Sequence, residues 1–312
     1  MASTNWEIPK GPGKDDGSFN RPPSRFREWI TTDGPYTPEA GRYHLYVARA
    51  CPWAHRTMIA RELMGLQDAI SISYVDPIRD KRSWAFTGGA YVDPLNGFEF
   101  LEQAYLASDP DGRHRVSVPV LWDRKHGRIV NNESSEILRM LSTVLAPLAK
   151  HPVELYPAER ASEIDALSES FYEPVNNGVY KAGFAQNQRA YERAVRELFA
   201  KLDELDARLA ISRFLFGDRL LESDIRLFTT LVRFDAVYQI HFKCSVRKLA
   251  EYPNLWPYCR DIYQWPGVKG TVDFEEIRRH YYGTHPTVNP LGIVAVMPEL
   301  DFDAPPGREH LG

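Results

Sequence analysis

The chain has 312 residues, enough for two domains with separate cores. It is 43% apolar and 26% charged, the balance of a soluble globular protein, and its net charge of -4 gives no reason to expect nucleic acid or an anionic membrane as partner. No apolar run is long enough to span a bilayer, and the opening Met1-Ala2-Ser3-Thr4-Asn5-Trp6-Glu7 lacks the basic-then-apolar order of a signal peptide.

Residues 1–25 are rich in Pro and Gly, so regular structure is not expected there. Trp6, Phe19, Phe26 and Trp29 are unusual company for free disorder. Residues 1–42 are therefore expected to form an arm that packs on the body.

Tyr43–Ala48 reads as a short strand, and Met58–Gly65 continues a helix that Gly65 can cap. Ile70–Val75 is a second strand. At the strand-to-helix junction stands Ala50-Cys51-Pro52-Trp53-Ala54-His55-Arg56-Thr57. Pro52 fits the first helical position, where a missing N–H costs nothing. Cys51 then lies beside unpaired helix N–H groups and the positive end of the helix dipole. That favours a thiolate, the attacking species in thiol exchange. The alternative, a buried apolar filler, suits most free cysteines but not this position. Ala54 occupies the place of a second Cys-x-x-Cys cysteine, so a mixed disulfide with an external thiol is the natural intermediate.

Asp76–Arg115 has no clear periodicity, although Phe98–Tyr105 looks helical; a connection this long is usually functional. Trp84 in this stretch is expected to stack on a ligand. Val116–Trp122 is a strand interrupted by Pro119, which marks a strand start or a special turn such as a cis peptide. His126-Gly127 turns the chain into Arg128–Asn131, and a helix begins near Glu133-Ser134. The order β-α-β, long loop, hairpin, helix is that of the thioredoxin fold, a four-stranded mixed sheet with helices on its faces. Val118 and the Glu133-Ser134 helix start should converge on Cys51. Extended backbone at Val118 can pair with a peptide-like ligand. Helix-start N–H groups can hold a carboxylate, and the Glu133 side chain can accept from an ammonium. A ligand with a thiol, peptide bonds, an amine and a carboxylate fits, and glutathione has all four. Ordinary capping is the competing reading of Glu133-Ser134.

From about Ala158 strand signals fade, and 161–172, 186–209, 223–240, 255–263 and 272–282 read as helices, with Asn176-Asn177-Gly178 as a break after the first. The boundaries expected are an arm over 1–42, a thioredoxin-like domain over 43–150, an all-helical domain over 158–282 and a Pro-rich extension over 283–312 that wraps the surface. Cys244 and Cys259 have no metal-ligand spacing with Cys51 and read as structural; no metal is expected. Three cysteines suit a reducing, cytoplasmic setting.

A thioredoxin-like domain followed by a helical one resembles a glutathione transferase. More narrowly, the chain resembles the Xi class, the glutathionyl-hydroquinone reductases. The residues that carry this are Cys51–Thr57, Val118–Asp123, Asn131–Ile137, Val175–Ala185, Ile225–Phe228 with Val232–Tyr238, and Ile277–Tyr282. The resemblance implies a nucleophile at Cys51 and glutathione contacts at Trp84, Arg115, Val116, Ser117, Val118, Glu133 and Ser134. It implies an acid/base tyrosine at Tyr180, with Tyr238 and Tyr281 near the cysteine sulfur and the hydroquinone. It further implies glutathione as co-substrate, glutathionyl-hydroquinone as substrate and a homodimer through the helical domains, the two-fold arrangement that is also the default. For any one of sixteen tyrosines, core packing with a polar handle is the competing reading. Two other functions stay open: an omega-like thiol transferase or dehydroascorbate reductase, and a non-catalytic ligand-binding homologue. One departure is visible, since the family's usual Thr cap before Ile225 is replaced by Leu221, with Ser223 as a substitute cap two residues on.

Overall fold

β1 (Tyr43–Val47) is the strand on which the first half of the chain is assembled, and all five of its residues are buried. It pairs in parallel with β2 (Ile70–Tyr74) on one side and antiparallel with β3 (Val120–Asp123) on the other, and β3 pairs antiparallel with β4 (Arg128–Asn131). The order β2-β1-β3-β4 is the mixed sheet of a thioredoxin-like domain. The computed structural model describes residues 16–80, 82–112 and 115–311. It divides into two units, each treated by itself below: Pro23–Glu154 with Thr271–His280, and Leu155–Gly270 with residues 16–22 and 281–311.

In the first unit, α1 (Pro52–Leu63) links β1 to β2. It ends as a Schellman turn. Gly65, at φ +64°, donates to Glu62 O, and Leu66 donates to Arg61 O. The long loop that follows β2 is held from within. Buried Asp93 accepts from Tyr46 Oη at 3.0 Å and from the N–H groups of Leu95, Asn96 and Phe98. That loop contains α2 (Glu102–Ser108), and the unit is completed by α3 (Ser134–Ser142) after the hairpin and by the start of the last helix. β3 begins only after Pro119, because proline has no N–H for the ladder. The arm adds to the sheet edge: Glu28 N donates to Val130 O at 3.1 Å and Asn132 N to Phe26 O at 3.0 Å. Trp6, expected to pack with the arm, lies outside the described residues.

The second unit is helical: α4 (Ala161–Phe171), α5 (Gly178–Gly183), α6 (Gln188–Arg208), α7 (Glu222–Leu231), the single turn α8 (Gln239–His241), α9 (Leu255–Gln264) and the end of α10 (Phe274–Thr284). Two of the expected helices differ in detail. The chain does not simply break at Asn176-Gly178. Pro174 cannot donate, so one wide π turn spans Tyr172–Asn176, Asn177 N donates to Tyr172 O at 2.8 Å, and α5 follows at once. The expected helix 223–240 likewise ends at Leu231 and passes through a second π turn, Phe234–Tyr238. Neither shift is visible in periodicity, because a π turn changes only which carbonyl an N–H meets and the apolar spacing runs on through it. At the start of α7, Ser223 is not the cap. Its hydroxyl meets Ser168 Oγ at 2.8 Å, while Asp224 Oδ2 accepts from Leu221 N at 2.9 Å. Residues beyond α10 lie along this unit: Arg308 is buried and donates to Leu209 O at 2.7 Å, and Phe302 packs on Trp256 and Tyr263. Among the described residues no helix is long and apolar enough to cross a membrane, and no cluster of His, Cys, Asp and Glu could hold a metal ion.

Candidate active site

Cys51 occupies the cap position of α1 with extended backbone (φ -80°, ψ 120°), and Pro52 takes the first helical position. Its side chain makes no capping bond, is partly exposed, and places Sγ 3.6 Å from Val118 O. The sulfur is therefore available to react, beside N–H groups that leave no intrahelical partner for themselves. The Val118–Pro119 peptide is cis. The other two thiols, Cys244 and Cys259, are fully buried, and burial pushes both well above the ordinary thiol range.

Val116 and Val118 are buried. Ser117 between them is fixed by Tyr105, whose hydroxyl donates to Ser117 O at 2.8 Å and accepts from Ser117 N at 3.1 Å. Asn132 Nδ2 donates to the same hydroxyl at 3.1 Å, which ties this segment to the residues just before α3. At the start of α3, Glu133 is the cap. Burial alone would raise its carboxyl, but bonds from Ser135 N–H, Ser24 Oγ (2.9 Å) and Ser135 Oγ (3.0 Å), with the charge of Arg56, hold it below the usual range. Arg56, five residues after Cys51, also donates to Ser134 Oγ at 3.4 Å, so the starts of α1 and α3 lie side by side. Cys51, Val116, Ser117, Val118, Glu133 and Ser134 thus belong to one group. Arg115 is partly exposed at its edge in sequence. Trp84 is 3% exposed; its ring stacks on His280 at 5.0 Å and carries the Arg79 guanidinium over it at 5.0 Å.

The tyrosines form a group in the second unit. Tyr180 lies on α5, Tyr238 closes the second π turn, and Tyr281 is on α10. Their hydroxyls make one hydrogen-bonded chain: Tyr180 to Tyr281 at 2.5 Å and Tyr281 to Tyr238 at 3.0 Å. Phe242 stacks on Tyr238 with ring centroids 5.7 Å apart. Gly183 permits this, because a Cβ there would fall 2.1 Å from the Phe242 ring. Burial, then the neighbouring Tyr180, push the Tyr238 and Tyr281 phenols well up, against the opposing charge of Arg233. They remain protonated near neutrality, and the chain of three can donate. Tyr105, Ser24 and Arg56 were not singled out from sequence. Arg56 had a signal in its place within the cysteine motif; Tyr105 and Ser24 had none, since their partners are 12 and 109 residues away.

Residues 50–144 match the glutathione S-transferase N-terminal domain and residues 188–261 the C-terminal domain. The glutathionyl-hydroquinone reductase YqjG of Escherichia coli is 48% identical, across 97% of this chain and 95% of its own. The glutathionyl-hydroquinone reductase PcpF of Sphingobium chlorophenolicum is 46% identical, across 94% and 93%. Among solved structures, a Xi class transferase from Natrialba magadii superposes with a TM-score of 0.90 at 52% identity, covering 92% of this chain and 89% of that one. The glutathione-bound structure of YqjG gives 0.89 at 48% identity, covering 91% and 96%.

Proposed function

The chain belongs to the Xi class of glutathione transferases, the glutathionyl-hydroquinone reductases, and from that premise we propose that it reduces glutathionyl-hydroquinones to hydroquinones at the expense of glutathione. The observation that carries this reading is Cys51 itself: a partly exposed thiol at a helix start, 3.6 Å from the carbonyl that precedes Pro119.

Glutathione is the co-substrate. Val118 backbone pairs with its peptide portion, the α3 N–H groups with a carboxylate and Glu133 with its ammonium, while Trp84, Arg115, Val116 and Ser117 complete the binding segment. The Cys51 thiolate attacks the sulfur of the glutathionyl-hydroquinone. An S–S bond forms as the C–S bond breaks, and the electron pair goes to the ring carbon. That carbon takes a proton, and Tyr180 is the donor. Tyr281 and Tyr238 hold the Tyr180 hydroxyl through the chain of their own hydroxyls. A second glutathione thiolate attacks the mixed disulfide, releases glutathione disulfide and regenerates the Cys51 thiolate. The three-phenol chain favours this reaction over plain disulfide exchange, which has no carbon to protonate. We further propose that the enzyme is a cytoplasmic homodimer joined through its helical unit.

The test is anaerobic incubation with glutathionyl-hydroquinone and glutathione, followed by chromatography. One hydroquinone and one glutathione disulfide per substrate consumed are expected. Turnover of glutathione mixed disulfides without hydroquinone release would return the function to a thiol transferase.

A further inference from the structure

Arg21 has no part in the mechanism above, yet the arm carries it into the phenol group. Its guanidinium lies 4.7 Å from the centroid of the Tyr180 ring, and its Nε donates to Asn177 Oδ1 at 2.7 Å. Asn177 is itself held, since its amide donates to Glu173 Oε1 at 2.9 Å. Phe19 packs on the rings of Tyr180 and Phe184 at 6.4 and 5.4 Å. The stretch before it is pinned to the start of α6: Gln186 N donates to Gly17 O at 3.0 Å and Arg193 to Asp16 Oδ2 at 2.9 Å. The arm here is a built part of the unit.

A cation over an aromatic face is attracted to the ring, and more strongly once a phenol becomes phenolate. Tyr180 has such a cation. Tyr281 and Tyr238 feel Arg233 through space, against burial. Glu173, which holds the Asn177 amide, is ion-paired with Lys181 at 2.5 Å. His241 and His285 face the Tyr281 side; they are hydrogen-bonded to each other at 3.0 Å, and burial keeps His241 neutral. We propose that Arg21 is a positioning residue for Tyr180: its guanidinium, fixed by Asn177 over the Tyr180 ring, favours loss of the Tyr180 proton and so suits that phenol to act as the donor. The proposal rests on the reading of Tyr180 as the acid.

The experiment compares Arg21→Gln and Arg21→Lys with the wild type. The first readout is the ultraviolet tyrosinate titration, with Tyr180→Phe as reference to isolate the Tyr180 component. That component is expected to move up by about one pH unit in Arg21→Gln, from the usual strength of a cation over an aromatic ring, and by less in Arg21→Lys, which keeps the charge but loses the fork. The second readout is turnover. Arg21→Gln should lower glutathionyl-hydroquinone turnover by about tenfold, move its alkaline limb upward, and leave exchange on a simple glutathione mixed disulfide unchanged. An unmoved Tyr180 titration overturns the proposal whatever the activity does. Equal loss in both reactions with an unmoved titration marks Arg21 as merely structural, with the same result. A shifted titration with full reductase turnover in Tyr180→Phe upholds the effect of Arg21 on the phenol but removes Tyr180 as donor, and the positioning role falls with it.

Discussion

Around Cys51 the first unit offers mostly main-chain groups: the open start of α1, the Val118 carbonyl and the start of α3. Around Tyr180 the second unit offers side chains alone: three phenols, Phe242, Phe184 and the Arg21 guanidinium. Main-chain groups come with the fold and tolerate many sequences. Side-chain groups exist only where specific residues meet. The proposed division of labour rests on that contrast. A thiol-transfer site needs a fixed extended backbone and two helix ends, which topology supplies, whereas protonating a carbon needs donors of chosen acidity, which only packed side chains can supply.

The largest expected effect falls on the first unit. Cys51→Ser should abolish reductase turnover while glutathione still binds, because a serine hydroxyl cannot form the mixed disulfide and the backbone groups are untouched. Isothermal titration with glutathione and the anaerobic turnover assay check both halves of this. Turnover at a tenth of wild type would remove Cys51 from the mechanism. Next comes the second unit. Tyr180→Phe should cost glutathionyl-hydroquinone turnover ~10²–10⁴-fold, the usual worth of a general acid, and cost mixed-disulfide exchange far less. Equal losses on the two substrates, with slower alkylation of Cys51 by iodoacetamide, would assign Tyr180 to the thiolate instead and erase the division of labour.

The same contrast explains what could be read from the chain beforehand. The β1–Cys51–Pro52–α1 junction is legible because each signal is local: strand formers, a proline at the first helical position, Gly65 at the far end. Val118-Pro119 and Glu133-Ser134 are legible for the same reason. The phenol group is not. Tyr281 is 101 residues from Tyr180 and 43 from Tyr238, and only a family resemblance singled them out. Arg21 and Asn177 are 156 residues apart and carried no signal at all. The two π turns escaped as well, since apolar spacing runs on through a turn that changes only which carbonyl an N–H meets.

A smaller effect concerns the carboxylate at the α7 start. Asp224 is fully buried, and desolvation, against bonds from Leu215 N, Leu221 N and Tyr258 Oη, pushes it from 3.8 up to about 6. A raised folded value means that the folded state holds the proton more tightly. Its contribution is full below the unfolded value and is lost as pH rises through about 6. On the order of 3 kcal/mol should disappear between those limits, the free energy that such a displacement represents. In Asp224→Asn that slope should vanish from the pH dependence of chemical denaturation. A slope between pH 4 and 6 that survives the substitution would mean another group produces it.

The smallest effect has the opposite sign and belongs to the first unit. Glu133 also accepts a backbone N–H at a helix start, but it is not sealed in, and Arg56 stands near it. Burial is the largest single influence and raises its carboxyl; the bonds from Ser135 and Ser24 together with Arg56 outweigh it, so the folded value lies below 4.5. A depressed value means a contribution present above the unfolded value and lost as pH falls through the folded one. Glu133→Gln keeps an oxygen for Ser135 N–H and removes only the charge, so the loss at neutral pH should be about 1 kcal/mol, the difference between a charged and a neutral acceptor. The gap between wild type and Glu133→Gln in denaturation midpoint should therefore be constant from pH 7 down to about pH 5 and close below the unfolded value. Glutathione affinity should fall alongside it at neutral pH, since the ammonium loses its carboxylate. A gap that widens on acidification would mean that Glu133 is held protonated in the fold, and the main-chain site would then lack the anion assigned to glutathione's amine.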